Sequence, residues 1–168
     1  VTRLSCHPSL VLWNGGNEHL WGFVDWGWQE QLEGRTWGWR YYSEVFPRVL
    51  AELDPTRPYA QGSPYSPGHP LTQVHPNDPD HGTHHEWEVW NRVDHTAYRD
   101  AVPRFCSEFG FQGPPTWATL QRAVRDADGA VATKEHPTFL LHQKADDGNA
   151  KLDRGLEPHL GVPDDYTD

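Results

Sequence analysis

The sequence predicts an α/β fold, a (β/α)8 TIM barrel of which about half is present. Three observations carry that prediction. Short apolar, strand-like runs alternate with segments of helical periodicity. Polar side chains of chemical interest stand where those runs end, as they do at the C-terminal face of such barrels. The 168 residues hold about four strands, whereas a whole barrel takes ~250 residues.

Taken in order, His7-Pro8-Ser9 reads as a turn and residues 10–14 as the first strand. Gly15-Gly16 is expected to bend the backbone just before Asn17 and Glu18. Residues 19–33 fit either a helix carrying Phe23, Trp26 and Leu32 or a loop with a helical turn. Residues 41–53 predict a helix with Val45, Phe46, Val49, Leu50 and Leu53 on its buried face. Ser43 can cap it, and Pro47 is tolerated in its first turn. Asp54-Pro55-Thr56-Arg57-Pro58 stops it, and Tyr59-Ala60-Gln61-Gly62 reads as the next strand.

Residues 63–83 form a long polar loop with five prolines, a kind of loop that is usually functional or disordered. His84 to Trp90 reads as extended, and residues 91–100 hold a helical turn. Residues 101–111 predict a short buried strand ending on Glu108. Helices are expected at 116–124, with Trp117, Leu120 and Val124 on one face, and at 136–144, around Phe139, Leu140 and Leu141. The partial barrel is thus assigned to residues 1–144, and 145–168 reads as a polar loop or tail continuing it.

Composition narrows the function. The net charge is −10 with only 14 Lys plus Arg, which argues against a nucleic-acid partner because little would neutralise phosphates. No apolar run is long enough for a transmembrane helix, so no membrane partner is expected. Met is absent, even at position 1, and the opening residues read as the tail of a helix and a turn. The chain is therefore expected to be part of a longer protein, and its compartment stays open. Cys6 and Cys106 read as unpaired, Cys106 as a small core residue. Nine Trp residues are unusual in segments this rich in Gly and charge. Indole faces suit the C–H faces of sugar rings, although many of these will simply pack under loops.

Two strand-end glutamates, Glu18 and Glu108, stand 90 residues apart. A carboxylate at the end of a core strand is expensive unless its charge is used. A pair of them is what a glycosidase needs. His81 and His84 have chelating spacing, but no third ligand falls at a known interval, so no metal is expected. No glycine-rich phosphate loop follows a strand, so no nucleotide or other cofactor is expected.

Leu12-Trp13-Asn14-Gly15-Gly16-Asn17-Glu18 resembles the acid/base motif of glycoside hydrolase family 2, and within it that of the β-mannosidases. Arg104-Phe105-Cys106-Ser107-Glu108-Phe109-Gly110-Phe111-Gln112 resembles their nucleophile motif. Leu53 to Tyr59, Gly62 to Ser66, His85 to Trp90 and His142-Gln143-Lys144 are similar in the same order. The resemblance implies barrel strands four to seven of a retaining exo-β-mannosidase. It implies Glu18 as acid/base and Glu108 as nucleophile. Asn17 would contact the sugar 2-hydroxyl, and Trp26, His85 and Trp87 would line the sugar pocket. Glu86 departs from the aromatic residue the resemblance leads one to expect there.

The implied partner is a β-mannoside oligosaccharide or glycoside. The isolated chain is expected to be inactive, because half the barrel is missing. Three other readings stay open. They are β-galactosidase or β-glucuronidase activity with the same glutamate pair, a non-catalytic sugar-binding fragment, and a structural fragment that self-associates through exposed barrel edges.

Overall fold

The computed structural model describes residues 1–125, 127, 129 and 133–164. It divides the chain into two compact units, Val1–Glu86 with Asp100–Phe109, and Trp87–Arg99 with Gly110–Asp168. Among the described residues no helix is long and apolar enough to cross a membrane.

The first unit holds four strands in two parallel pairs: β1 (Trp13–Asn17) with β2 (Tyr59–Ser63), and β3 (His84–Glu86) with β4 (Cys106–Phe109). Parallel strands need crossover connections. Between β1 and β2 these are α1 (His19–Asp25), α2 (Trp28–Gln31) and α3 (Phe46–Leu53), the last entered through a π-turn at Tyr41–Val45. The alternation is that of a β/α architecture, and the described residues do not close a barrel.

β1 starts later than the sequence suggests and runs straight through Gly15 and Gly16. Those glycines serve close packing rather than a bend. A Cβ on Gly15 would collide with the Gln61 carbonyl of β2, and one on Gly16 with the His19 ring. A Cβ on Gly62, opposite Gly16, would lie 2.7 Å from His19 Cε1. The ambiguous 19–33 stretch forms two short helices separated by Gly27, whose φ of +72° suits glycine. Ser43 does not cap; its hydroxyl donates to the Trp39 carbonyl within the turn. Pro47 stands in the first turn of α3 as expected.

The helix stop is a polar knot. Asp54, 5% exposed, accepts hydrogen bonds from Trp13 Nε1 (2.9 Å), Arg57 Nη1 (2.8 Å) and Thr56 Oγ1 (3.2 Å). Arg57 also donates to the carbonyls of Leu10 and His7. The Trp13 bond, followed by the Arg57 and Thr56 contacts, holds the Asp54 carboxyl below the usual range, against the opposing effect of its burial. Leu20 is fully buried on α1, a contribution of about 2 kcal/mol.

The extended segment at His84 lasts only three residues, and Glu88–Asn91 then turns into α4. The predicted strand at 101–111 shrinks to β4, and it is not buried as expected: Phe105 and Phe109 are 62% and 63% exposed. The cysteines are free, Cys6 exposed and Cys106 half-buried.

The second unit is helical. It contains α4, a 3-10 turn at His95–Arg99, α5 (Trp117–Ala123), α6 (Pro137–His142) and α7 (Gly148–Leu156). Leu120, Val124 and Phe139 form its buried cluster; Val124 stands just past α5 in extended backbone, and Trp117, Leu140 and Leu141, expected with them, are exposed. α7 lies within residues 145–168, read from the sequence as loop or tail. Leu152 anchors it, Lys151 donates to the Asn91 side chain, and Arg154 donates to the Trp90 and Asn91 carbonyls.

Candidate active site

The site lies in the first unit, at the C-terminal ends of its strands. Glu18 follows β1 directly and has φ +53°, a left-handed conformation uncommon for a side chain larger than Gly. That one residue turns the chain from strand into helix. Its N–H donates to the Ser63 carbonyl at the end of β2 (2.7 Å), and its carbonyl accepts from Gly22 of α1 (2.7 Å). The strained turn is thus held from both sides.

Glu108 comes from β4. Between β3 and β4 the register slips, so that His84 pairs with Cys106 but His85 pairs with Glu108. The slip passes over Ser107 and sets Glu108 beside His85.

His85 is the centre of the arrangement, at 1% exposed. Its Nδ1 is 2.8 Å from Glu18 Oε1 and 3.3 Å from Glu108 Oε2. Its Nε2 is 2.8 Å from Ser63 Oγ, and Ser63 Oγ is 2.7 Å from Ser107 Oγ. Asn77 clamps the backbone: the His85 N–H donates to Asn77 Oδ1 (2.7 Å), and Asn77 Nδ2 donates to the His85 carbonyl (3.0 Å). A carboxylate oxygen of Glu18, one of Glu108 and a nitrogen of His85 lie within 4.8 Å of one another.

The surroundings are aromatic. Trp21 lies edge-on to His85, with ring centroids 6.5 Å apart, and Trp26 packs against both Trp21 and Trp28 at 5.6 Å. Trp26 keeps 43% of its surface exposed. Trp21 is pinned by its Nε1–H donating to Asp25 Oδ2 (2.8 Å), to which His75 Nε2 also donates (2.9 Å). His75 Nδ1 accepts from the Asn77 N–H, so the proline-rich loop braces both His85 and Trp21.

Of the residues singled out in the sequence, Glu18, Glu108 and His85 come together. Asn17 is exposed on the last position of β1, beside Ser63 in register. Trp26 belongs to the aromatic group around Trp21. Trp87 precedes α4 in the second unit, where its carbonyl accepts from Asn91. Sequence reasoning passed over Ser63, Ser107, Asn77 and His75. Ser63 and Ser107 sit inside the motifs already quoted, and His75-Pro76-Asn77 sits in the loop marked for its length.

His81 Nδ1 bonds Asp78 and His84 Nδ1 bonds the Asn77 carbonyl. In the second unit, Asp94, His95 and His159 bring potential donor atoms within 4.8 Å; the Asp94 carboxylate accepts a hydrogen bond from His159 Nε2 and lies 2.8 Å from His95 Nδ1. The Thr96 N–H and the two imidazoles hold that carboxyl below its usual range.

No family model matches the chain. It is similar to β-mannosidase B of Thermothelomyces thermophilus, 33% identical over 87% of this chain and 18% of that protein. β-Mannosidase B of Neosartorya fischeri is 30% identical over 98% of the chain and 20% of that protein. The β-mannosidase of Capra hircus is 28% identical over 97% and 19%. The crystal structure of the β-D-mannosidase from Dictyoglomus thermophilum superimposes with a TM-score of 0.78 at 33% identity, over 98% of this chain and 19% of that one. The chain spans about a fifth of the length of these relatives. With glutamates at two strand ends and a fold that superimposes on a β-mannosidase, this is a β-mannosidase-like chain, a glycoside hydrolase sequence by its relatives.

Proposed function

We propose that the protein carrying this chain is a retaining exo-β-mannosidase of glycoside hydrolase family 2. In this reading residues 1–144 supply strands four to seven of its (β/α)8 barrel. The observation that supports it best is the convergence of Glu18 and Glu108 on one buried imidazole, with carboxylate oxygens within 4.8 Å. Retaining glycosidases set their carboxyls ~5–5.5 Å apart, whereas inverting ones leave room for a water between them.

Glu18 acts as the acid/base and Glu108 as the nucleophile. Glu18 is the more enclosed, its side chain 20% exposed against 36% for Glu108. It protonates the leaving glycosidic oxygen while a Glu108 oxygen bonds the anomeric carbon. Water, deprotonated by Glu18, then releases the sugar. Asn17 bonds the 2-hydroxyl, where contacts strengthen in the transition state. Trp26 and Trp87 contact the mannose, and His85, wholly buried, supports the two glutamates from behind. The substrate is a terminal β-D-mannoside. The isolated 168-residue chain turns over little, because a fifth of the relatives' length supplies only part of a sugar pocket.

The test is mass spectrometry after treatment with a 2-deoxy-2-fluoro-β-mannosyl inactivator, which traps a covalent glycosyl-enzyme. A single adduct on Glu108 is expected in the full-length protein, lost in Glu108→Gln. Sugar binding that persists in Glu108→Gln, with no adduct and no turnover in the parent, would replace the enzyme with a carbohydrate-binding protein.

A further inference from the structure

The second unit carries a group of donor side chains that hydrolysis does not use. Asp94 and His95 stand at the start of the 3-10 turn, and His159 follows the end of α7. Among the described residues, three such side chains bring ligand atoms within 4.8 Å of one another in two places, here and at Glu18, His85 and Glu108. Asp94 and His159 are 65 residues apart, so no short interval in the sequence marks them.

Contacts outside the group hold each segment in place. The Thr96 N–H donates to Asp94 Oδ1 (3.1 Å) and the Ala97 N–H to the Asp94 carbonyl (3.0 Å). The His159 N–H donates to the Leu156 carbonyl at the end of α7 (3.0 Å). Arg154 of α7 donates to the Trp90 and Asn91 carbonyls of α4. The two segments therefore meet without help from the imidazoles. The His95 and His159 rings lie 4.7 Å apart at 60°. They are tilted rather than stacked, so their nitrogens can converge on one point.

We propose that Asp94, His95 and His159 form a Zn2+ site that clips the segment after α7 to the 3-10 turn. Two imidazole nitrogens with one carboxylate suit Zn2+ and its first-row neighbours, whereas Mg2+ and Ca2+ take oxygen ligands. Three protein ligands leave the fourth tetrahedral position to water. Tetrahedral ligands ~2.0–2.1 Å from zinc lie about 3.3 Å from each other. The nitrogens of His95 and His159 are 2.8 and 2.7 Å from the carboxylate oxygens, so each gap opens by about half an ångström. Side chains that are 58%, 38% and 35% exposed, for His95, His159 and Asp94, can rotate that far and leave the ion a way in. The hydrogen that His159 Nε2 donates to Asp94 passes to Nδ1 or to water, and the freed electron pair goes to zinc. Arg92 and Arg154 line the adjoining cavity with Asp94 and His95, but they are engaged by Glu88 and by the α4 carbonyls. The site is independent of the roles given to Glu18 and Glu108.

The test uses Co2+, which occupies zinc sites and absorbs light, on the full-length protein carrying this chain. His159→Cys exchanges one nitrogen ligand for a thiolate. Co2+ is then expected to give a thiolate-to-cobalt charge-transfer band that the unmodified protein lacks. Zn2+ should bleach it, and adding Asp94→Asn and His95→Gln should remove it. A folded His159→Cys protein without the band overturns the proposal, as does a band that survives those two changes. Should the variants not fold, the unmodified protein decides. Zn2+ is expected to slow amide hydrogen exchange at residues 95–99 and 157–160, and unchanged exchange at saturating Zn2+ overturns the site. Calorimetry adds a count: His159→Gln should lose one zinc equivalent or weaken it by more than the ~10–100-fold that losing an outer-shell partner costs. Equal stoichiometry and affinity would likewise overturn it. None of these readouts uses turnover, so their failure leaves the mannosidase reading untouched.

Discussion

The two strand pairs of the first unit are built on opposite principles. β1 and β2 run in unbroken register from Trp13↔Tyr59 to Asn17↔Ser63, and glycines let their backbones and the His19 ring close together. β3 and β4 are shorter and slip by one residue, and between them Ser107 Oγ contacts the His84 carbonyl and His85 contacts Glu108. The regular pair makes a rigid wall that delivers Glu18. The irregular pair gives up ladder regularity to bring Glu108 beside His85. Without the slip, Ser107 would pair with His85 and the second carboxylate would point to the other face of the strand. Regularity positions one glutamate here, and a break in regularity positions the other.

The comparison breaks most completely at the wall. In Gly15→Ala the new Cβ would run into the Gln61 backbone carbonyl, and a backbone atom cannot swing aside as a side chain can. The expected cost is about 3 kcal/mol or more, the upper end for overpacking. It is read as a lowered denaturant midpoint with unchanged slope. Gly113→Ala, where nothing lies within 4 Å of a new Cβ, serves as the control and should shift little. Equal midpoints for the two variants would mean that β1 and β2 are not pressed together as described.

His19 probes the same wall electrostatically. It is 7% exposed, and its ring stacks on Tyr42 with centroids 4.4 Å apart and lies 4.6 Å from Trp37. Neither ring nitrogen has a hydrogen-bond partner among the described residues. Burial lowers its pKa from 6.5 to about 4, against a small opposing pull from the Gly16 backbone. The sign follows from proton uptake. Between pH 6.5 and about 4 the unfolded chain binds a proton at His19 that the folded chain refuses. Stability therefore falls as pH drops through that window, by about 3 kcal/mol for a shift of this size. His19→Leu should flatten that part of the stability–pH curve. A curve of unchanged slope would mean the imidazole is solvated.

What the sequence disclosed follows from which forces are local. The strand-end carboxylates Glu18 and Glu108, and the helical faces bearing Leu50, Leu120 and Phe139, are legible because periodicity and strand punctuation are local properties. Gly15 and Gly16 are misread as a bend because a glycine selected for lack of a Cβ looks the same as one selected for positive φ. Only the partner strand distinguishes them. The end of β3 at Glu86 is hidden because His85 to Trp90 has strand-like residues, yet the chain turns helical at Glu88. Phe105 is read as core because apolar side chains on a strand usually are, although it is largely exposed. Ser63, Asn77 and Ser107 escape notice because their role depends on the β3–β4 slip and on a loop closing over it, neither of which has a period.

The loop gives the smallest and sharpest break. Asn77 satisfies both the N–H and the carbonyl of His85, and its own N–H donates to His75 Nδ1. Asn77→Ala leaves two polar backbone atoms of a buried residue without their partner, at an expected cost of about 2 kcal/mol. Because these bonds orient His85 rather than contact sugar, loss in kcat should exceed loss in substrate affinity. Asn77→Asp keeps the acceptor for the His85 N–H and gives up the donor to its carbonyl, so it should recover part of the stability. If Asn77→Asp were as unstable as Asn77→Ala, the N–H bond would contribute nothing. His85 would then be held by Ser63 and the glutamates alone, and the slipped pair would need no brace from the loop.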